Sequence, residues 1–420
     1  MKINPVKLIK TRIAQLQRFG ASGAWAYLKG KYIGPEAEQC RFLKKNARLH
    51  TFATPEPGIT IVAPMTESSS LSKVMRDLAH TLKDAGIPFQ TFDTNPQPDF
   101  PAIDVRDILT PLTEFKINRY SHILERVMTP VPTCVTPKRL RVVFWEFESG
   151  IREGLPHILP PRGILGMSDF NVSYFQRVYG NEMPVYKLLY PFRPELDPIA
   201  PPDETRRKYG LPEKDFLVFS NFNFASGLSR KNPLAAIRAF GTAFEDTVDA
   251  RLVFKVMNSS PSSRKTLTDL ARQMGFVDRL SIIDAYVPQK DLYALTNACD
   301  AYLSLHRGEG FGLGIAEAMS LGKPVVTTDY SSTTEFCNPT NAIPIPYRLV
   351  PPEPHQIDHP NYMHVKLWAD PDITQAAQAL RRLFEHPELR KQLGEAARIS
   401  ILNQYSIANF RKSALALIHK

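Results

Sequence analysis

The stretch AYLSLHRGEGFGLGIAEAMSLGKPVVTTD, Ala301–Asp329, decides the fold. It opens as a short apolar strand, Ala301–Leu305, and breaks into a loop with glycines at Gly308, Gly310, Gly312 and Gly314. It then continues as a helix and re-enters a strand at PVVTT. This is a parallel βαβ unit with its loop at the carboxyl end of a strand, where open α/β sheets bind ligands. Glycines let backbone amides approach a ligand closely, and the helix that follows aims its free N–H groups at the same spot. Two carboxylates, Glu309 and Glu317, flank this donor-rich turn. A tight strand-to-helix turn would explain the glycines and not the paired glutamates, which suit the hydroxyls of a sugar better than a phosphate alone. The spacing also departs from the dinucleotide G-x-G-x-x-G pattern, with Leu313 and Ile315 where the third glycine would fall.

At 420 residues the chain is too long for one ordinary core and suits two domains. No run of 18 apolar residues is present to span a bilayer, and no apolar segment follows the basic start as a signal peptide requires. The four cysteines, Cys40, Cys134, Cys299 and Cys337, lack C-x-x-C or metal-ligand spacing, so a reduced, cytoplasmic setting is expected. The net charge of +10 is lopsided: residues 1–50 hold eleven Lys or Arg against two acids, Glu36 and Glu38. Within that arm Pro5–Phe19 places Val6, Ile9, Ile13 and Leu16 at helical spacing with basic residues opposite. Such a helix fits an anionic membrane surface or, equally, its own domain with a solvated basic face. No nucleic-acid module accompanies the charge, and no nucleic-acid partner is expected.

Gly58–Pro64 is the first strand, followed by a serine-rich turn and a helix over about Leu71–Ala85, then a strand at Pro88–Asp93 and a helix near Ile117–Val127. Leu140–Ser149, LRVVFWEFES, reads as a strand with Glu146 and Glu148 at its carboxyl end, where either is a substrate-side acid or solvated. Six prolines between Pro191 and Pro212 mark a stiff interdomain connection without regular structure. Beyond it strands and helices alternate cleanly, as in a second parallel sheet covered on both faces. The expected layout is a basic arm (1–50), two Rossmann-like domains (51–192 and 193–400) and a last helix (401–420) returning to the first.

EGFGLGIAE resembles the E-x7-E motif of retaining glycosyltransferases, and with AMSLGKPVV after it the chain is similar to glycosyltransferase family 4. The resemblance covers roughly Phe216–Asp372 well and the N-terminal third loosely. It implies a GT-B fold, two doubly wound α/β domains facing across a cleft, and retaining transfer of a hexose-type sugar from a nucleotide-diphosphate sugar to a glycan or lipid-linked glycan acceptor. That is work for cell-envelope polysaccharide synthesis, in the cytoplasm or on the inner face of a membrane. Residue by residue, it implies that Glu309 meets donor-sugar hydroxyls and Glu317 the ribose, that the amides of Gly310, Phe311 and Gly312 add donors, and that Val287 contacts the base. Lys231 in SRKNP would contact the diphosphate, beside Pro233 at a helix start. The family's arginine five residues earlier is Ser226 here, which leaves its task to Arg230 or unfilled. Glu146 and Glu148 become acceptor-side candidates, and the family's first glycine-rich loop is replaced by the serine-rich one.

No cofactor or metal is expected. The lone D-x-D, Asp370 to Asp372, reads as helix capping. His355 and His359 lie among prolines that disfavour a shared helical face, so they read as solvated loop histidines rather than ligands. A two-lobed α/β architecture also serves epimerases, phosphorylases and non-catalytic binding proteins, which fold alone does not separate.

Overall fold

The computed structural model describes residues 55–67, 70–94, 105, 107–110, 119–126, 138–151, 163–194 and 198–419. The basic arm, its helix over Pro5–Phe19, Ser68 and Ser69 of the serine turn, and Cys40 and Cys134 lie outside the described residues. Twelve strands form two six-stranded sheets, as the alternation of strand and helix patterns predicts. The chain divides into two compact units, one drawn from Met1–Ala79 with Pro88–Arg139, the other from His80–Ile87 with Leu140–Lys420.

In the first unit β1 (Glu56–Ala63) runs parallel to both β2 (Phe89–Asp93) and β3 (Tyr120–Arg126). From Gly58 onward β1 is buried throughout, the continuous burial of a central strand covered on both faces. Thr60 is tolerated there because Gln90 Nε2 donates to its Oγ1 at 2.8 Å. Helix α1 (Ser70–Asp84) repeats apolar positions Val74, Leu78 and Leu82 on one buried stripe. The helix expected near Ile117–Val127 is instead β3. Its Ile123 and Leu124 are fully buried and pair with Thr60 and Ile61, so strand pairing overrides the helical preference of Leu, Glu and Arg.

In the second unit β4 (Lys138–Val142), β5 (Ile164–Gly166) and β6 (Val185–Lys187) pair in parallel, with α2 (Asp169–Tyr179) between the last two. The strand expected over Leu140–Ser149 ends at Val142. Val143, Trp145 and Phe147 remain buried in alternation, but a side chain replaces the partner strand: Asn171 Nδ2 donates to the Trp145 carbonyl at 2.7 Å and its Oδ1 accepts from the Trp145 N–H at 3.2 Å. The proline-rich connection holds a short helix, α3 (Pro202–Lys208), because proline at the first helical position costs no hydrogen bond. Arg206 of α3 is buried and reaches the carbonyls of Pro212, Glu213, Asp215 and Ala298, which ties the connection down.

The second sheet of this unit comprises β7 (Phe216–Asn223), β8 (Ala250–Met257), β9 (Leu280–Asp284), β10 (Ala301–Ser304), β11 (Val325–Thr328) and β12 (Ile343–Ile345), in the order β12-β11-β10-β7-β8-β9. Helices α4 (Pro233–Ala243), α5 (Pro261–Gln273), α6 (Gln289–Ala298) and α7 (Leu313–Ser320) connect them. The order reverses between β7 and β10, which pair directly, and this is the switch point at which open α/β sheets receive ligands. The segments leaving β7, β10 and β11 therefore emerge side by side at one edge. After β12 a two-stranded antiparallel ribbon, β13 (Tyr347–Val350) and β14 (Trp368–Pro371), precedes α8 (Ile373–Glu385), α9 (Pro387–Gln404) and α10 (Ile407–Ile418). On α10 Ser413 Oγ accepts from the Leu189 N–H and Arg411 donates to the Ala85 carbonyl.

Candidate functional site

The loop after β10 is glycine-rich for two separate reasons. Gly312 has φ +94 and caps the start of α7, a backbone state that side chains disfavour. Gly308 and Gly310 lie against the segment Phe144–Phe147: a Cβ on Gly308 would stand 2.5 Å from the Glu146 carbonyl oxygen, and one on Gly310 2.9 Å from Phe144 Cβ. The loop is thereby held flat on that segment. Phe311 stacks on Tyr190 with ring centres 3.6 Å apart and packs on Phe336 and Tyr405, so its side chain is an anchor and only its backbone faces the turn. Among the described residues no acceptor meets the N–H groups of Gly310, Phe311 or Gly312, so three donors stand ready at the head of a helix.

Beside this turn lies Lys231, at the end of the helical turn Leu228–Lys231 rather than at the first residues of α4 as expected. Asn232, in the left-handed region at φ 53, separates the two and anchors the bend by donating to the Leu305 carbonyl at 3.0 Å. Lys231 Nζ is 2.5 Å from Glu309 Oε1, and Arg230 Nη1 is 3.4 Å from Glu309 Oε2 while donating to the Gly308 carbonyl at 2.9 Å. The sequence left open whether Arg230 has a place here; the structure buries its guanidinium in the centre of the cluster. Glu146 Oε1 stands 3.8 Å from the same Arg230 nitrogen. Glu148 is elsewhere, more than half exposed and 4.0 Å from Arg177. The loop's backbone is fixed by Ser331 at the end of β11, whose hydroxyl accepts from the Glu309 N–H at 2.8 Å.

These charges shape one another. Burial alone would raise the Glu309 carboxyl, but Lys231 and Arg230 more than reverse this and hold it at about 2. Burial pulls Lys231 below the ordinary lysine value, with Arg230 adding to the effect against the attraction of Glu309. The two partners of one ion pair thus both move down. The pair is ionised, because Glu309 has two cations within 3.4 Å whereas Lys231 shares its carboxylate with Arg230. Burial works against the charge of Arg230 too, yet Tyr362, Glu146 and Glu309 push it above the ordinary arginine value. Glu146 is raised by burial despite Arg230.

Glu317, on the buried side of α7, is held differently. Gln289 Nε2 and Tyr293 Oη, both from α6, donate to its Oε1 at 3.0 and 3.2 Å. Val287 is half-buried in the short loop between β9 and α6, one residue before Pro288 caps α6. Of the candidates, Lys231, Arg230, Glu309 and Glu146 form one cluster, Glu317 and Val287 stand with α6, and Glu148 joins neither.

Sequence reading missed Tyr362, Ser331, Gln289 and Tyr293. Gln289 and Tyr293 were legible in principle, four apart at the start of the helix that follows the loop carrying Val287. Tyr362 lay within the proline and histidine loop, where no periodicity marks a buried side chain. Asp370 pairs with Arg307 at 3.2 Å and Asp372 alone caps α8, accepting from the Gln375 N–H. No group of three or more His, Cys, Asp or Glu among the described residues is placed to hold a metal ion. No helix among them is long and apolar enough to cross a membrane.

With this geometry in hand, residues 202–400 match the family of glycosyl transferases, group 1, a stretch that includes Lys231, Glu309, Glu317 and Tyr362 but not Glu146. The putative glycosyltransferase 45 of Sulfolobus islandicus filamentous virus (isolate Iceland/Hveragerdi) is 27% identical over 135 residues, 32% of this chain and only 38% of that protein's length. Among solved structures, WaaG, a glycosyltransferase involved in lipopolysaccharide biosynthesis, has a TM-score of 0.57 at 16% identity, covering 86% of this chain and 99% of its own. HepE of Anabaena in complex with UDP and glucose has a TM-score of 0.56 at 13% identity, covering 87% and 100%. At such identities structural likeness speaks for the fold, and that fold is GT-B.

Proposed function

We propose that the chain is a retaining glycosyltransferase that moves a hexose-type sugar from a nucleotide-diphosphate sugar to a glycan acceptor. The observation that carries this is the meeting of buried Arg230 and half-buried Lys231 with Glu309 and, among the described residues, three unpaired backbone N–H groups at one helix head. In this reading the donor's diphosphate draws Lys231 from Glu309, whose carboxylate then accepts hydrogen bonds from sugar hydroxyls. The bond between the anomeric carbon and the diphosphate oxygen breaks with its electron pair going to the diphosphate, and the acceptor hydroxyl oxygen forms the new bond on the same face as its proton passes to the departing diphosphate oxygen. Lys231 and Arg230 neutralise the charge that grows on the leaving group, donors placed where charge develops being usually the largest catalytic term. Glu317 takes the ribose, the backbone near Val287 the base, and Glu146 faces the acceptor side.

The cations supply the role a divalent ion plays in other transferases, and no cofactor is called for. Likeness to WaaG supports a cell-envelope glycan as acceptor, and the charge of residues 1–50 supports approach to an anionic membrane surface from the cytoplasm. Incubation with UDP-, GDP- and dTDP-sugars and a glycan acceptor, followed by NMR of the product, tests the proposal. A retained anomeric configuration is expected; an inverted one would overturn the retaining mechanism, and hydrolysis or epimerisation alone the transferase reading.

A further inference from the structure

Between β12 and α8 the chain leaves the sheet for more than twenty residues, closes the ribbon of β13 and β14, and carries a loop, 351–367, that returns to the cluster. Two side chains of this loop reach the helical turn that bears Arg230 and Lys231. Asp358 Oδ2 accepts from the Ser229 N–H at 2.7 Å at the start of that turn. Tyr362 is 7% exposed, and its hydroxyl donates to Glu146 Oε1 at 3.4 Å. The Arg230 guanidinium stands 5.8 Å from the centre of the same ring. Gly227, at φ +85, lets the turn pass under both: a Cβ there would meet Asp358 Oδ1 at 3.1 Å and Tyr362 Cε2 at 3.2 Å. The ring is seated independently of its hydroxyl, edge-on to Phe147 at 5.2 Å and to Trp145 at 6.0 Å.

We infer that Tyr362 is a positioning residue of the site, whose hydroxyl orients the Glu146 carboxylate toward Arg230 and so fixes both cations against Glu309. The inference rests on the transferase reading only for its catalytic consequence. Arg230 alone does not fix Glu146, since their nearest atoms are 3.8 Å apart and Arg230 already bonds the Gly308 and Ser226 carbonyls. The Tyr362 hydroxyl supplies a directed donor. A hydrogen bond to a carboxylate favours its charged form, which opposes the upward push that burial exerts on Glu146. The other charged groups facing Glu146 are Arg230 and Lys231 from the turn and Glu309 from the motif loop, and His359 lies against the Tyr362 ring at 4.9 Å. Removing only the hydroxyl leaves Lys231, Glu309 and His359 as they are and also takes from Arg230 the Tyr362 oxygen that helps to raise it, so both ends of the Glu146–Arg230 contact report the change.

Tyr362→Phe in the full chain makes that removal while leaving the ring contacts in place. We expect a melting temperature within about 2 °C of wild type and a UDP affinity within about twofold, because the ring packing and the Glu317 contacts persist. Turnover at saturating donor falls about tenfold with little change in donor KM, and the acid limb of its pH profile moves up by about half a unit to one unit. A readout free of substrate accompanies this: in protein labelled with [δ-13C]glutamate, the resonance that disappears in Glu146→Gln titrates at higher pH in Tyr362→Phe. An unchanged Glu146 midpoint would overturn the inference, as would unchanged turnover and pH profile in an active enzyme. If the wild type transfers no sugar from any donor, the transferase reading fails by itself, and the carbon titration still decides whether Tyr362 governs Glu146.

Discussion

Glu309 and Glu317 belong to one nine-residue stretch and are both buried, yet they are held by opposite chemistry. Glu309 is gripped by charge, with Lys231 at 2.5 Å and Arg230 at 3.4 Å, and its carboxyl is depressed to about 2. Glu317 accepts hydrogen bonds from two neutral donors of α6, Gln289 and Tyr293. The difference follows from topology. Glu309 sits in the loop at the switch point, where the segments after β7 and β11 converge, whereas Glu317 is one turn into α7 and faces α6. A carboxylate held by cations can exchange partners when an anion arrives; one held by an amide and a phenol is poised for hydroxyl groups at any charge state. In the proposed reading the pair divides into a half that responds to charge and a half that recognises hydroxyl groups by hydrogen bonds.

Substitution at the charged half has the largest expected effect. Lys231→Ala leaves Arg230 alone to meet charge developing on a departing diphosphate, and removal of one such donor lowers turnover by about 100-fold or more. If Glu317 takes the ribose as proposed, Glu317→Ala removes a contact made equally before and during reaction, and it weakens binding of the donor's nucleoside diphosphate by about tenfold while turnover at saturation changes little. Calorimetry with the nucleoside diphosphate of the active donor and initial rates with that donor separate the two. If Glu317→Ala binds it as tightly as wild type, or if Lys231→Ala loses only affinity, the proposed division between the halves is wrong.

The same contrast separates what the sequence pattern specifies locally from what distant partners decide. Strands and helices after Phe216 follow from apolar runs alternating with amphipathic stretches, because the inner strands β7, β8, β10 and β11 are largely buried on both faces. The E-x7-E spacing and SRKNP drew attention to residues that the fold brings within hydrogen-bonding distance, since β7 and β10 are neighbours although 78 residues separate Lys231 from Glu309. Local patterns failed where a partner distant in sequence decides. β3 is a strand because β1 lies beside it, and Val143–Phe147 keeps strand-like burial without a strand because Asn171 completes its hydrogen bonds. Tyr362 sits in a proline-rich loop that reads as solvent-exposed, and only its return to Arg230 and Glu146 reveals it.

The smallest expected effect sharpens the comparison through protons. Below about pH 4.5 an unfolded chain protonates Glu309 while the folded protein, its carboxyl held at about 2, does not. A depressed carboxyl contributes stability above its unfolded value and loses it as pH falls through the folded one, so this contribution disappears between about pH 4.5 and 2. His306, fully buried beneath the cluster with Nε2 3.4 Å from Thr333, is lowered by burial to about 4 and loses its contribution in the window above, from about pH 6.5 to 4. His122 in the first unit, also lowered to about 4 by burial, shares that window. Glu146, raised by burial, works the other way and regains stability on protonation. Each proton taken up only by the unfolded chain steepens the slope by at most about 1.4 kcal/mol per pH unit. Urea unfolding of wild type, His306→Gln and Glu309→Gln at a series of pH values from 7 to 3 resolves the windows. His306→Gln flattens the slope between pH 6.5 and 4 by about half, His122 supplying the rest, and Glu309→Gln flattens it only below 4.5. Were Glu309→Gln to keep the wild-type slope below 4.5, the carboxylate would not be locked by Lys231 and Arg230, and the two halves of the stretch would be held alike.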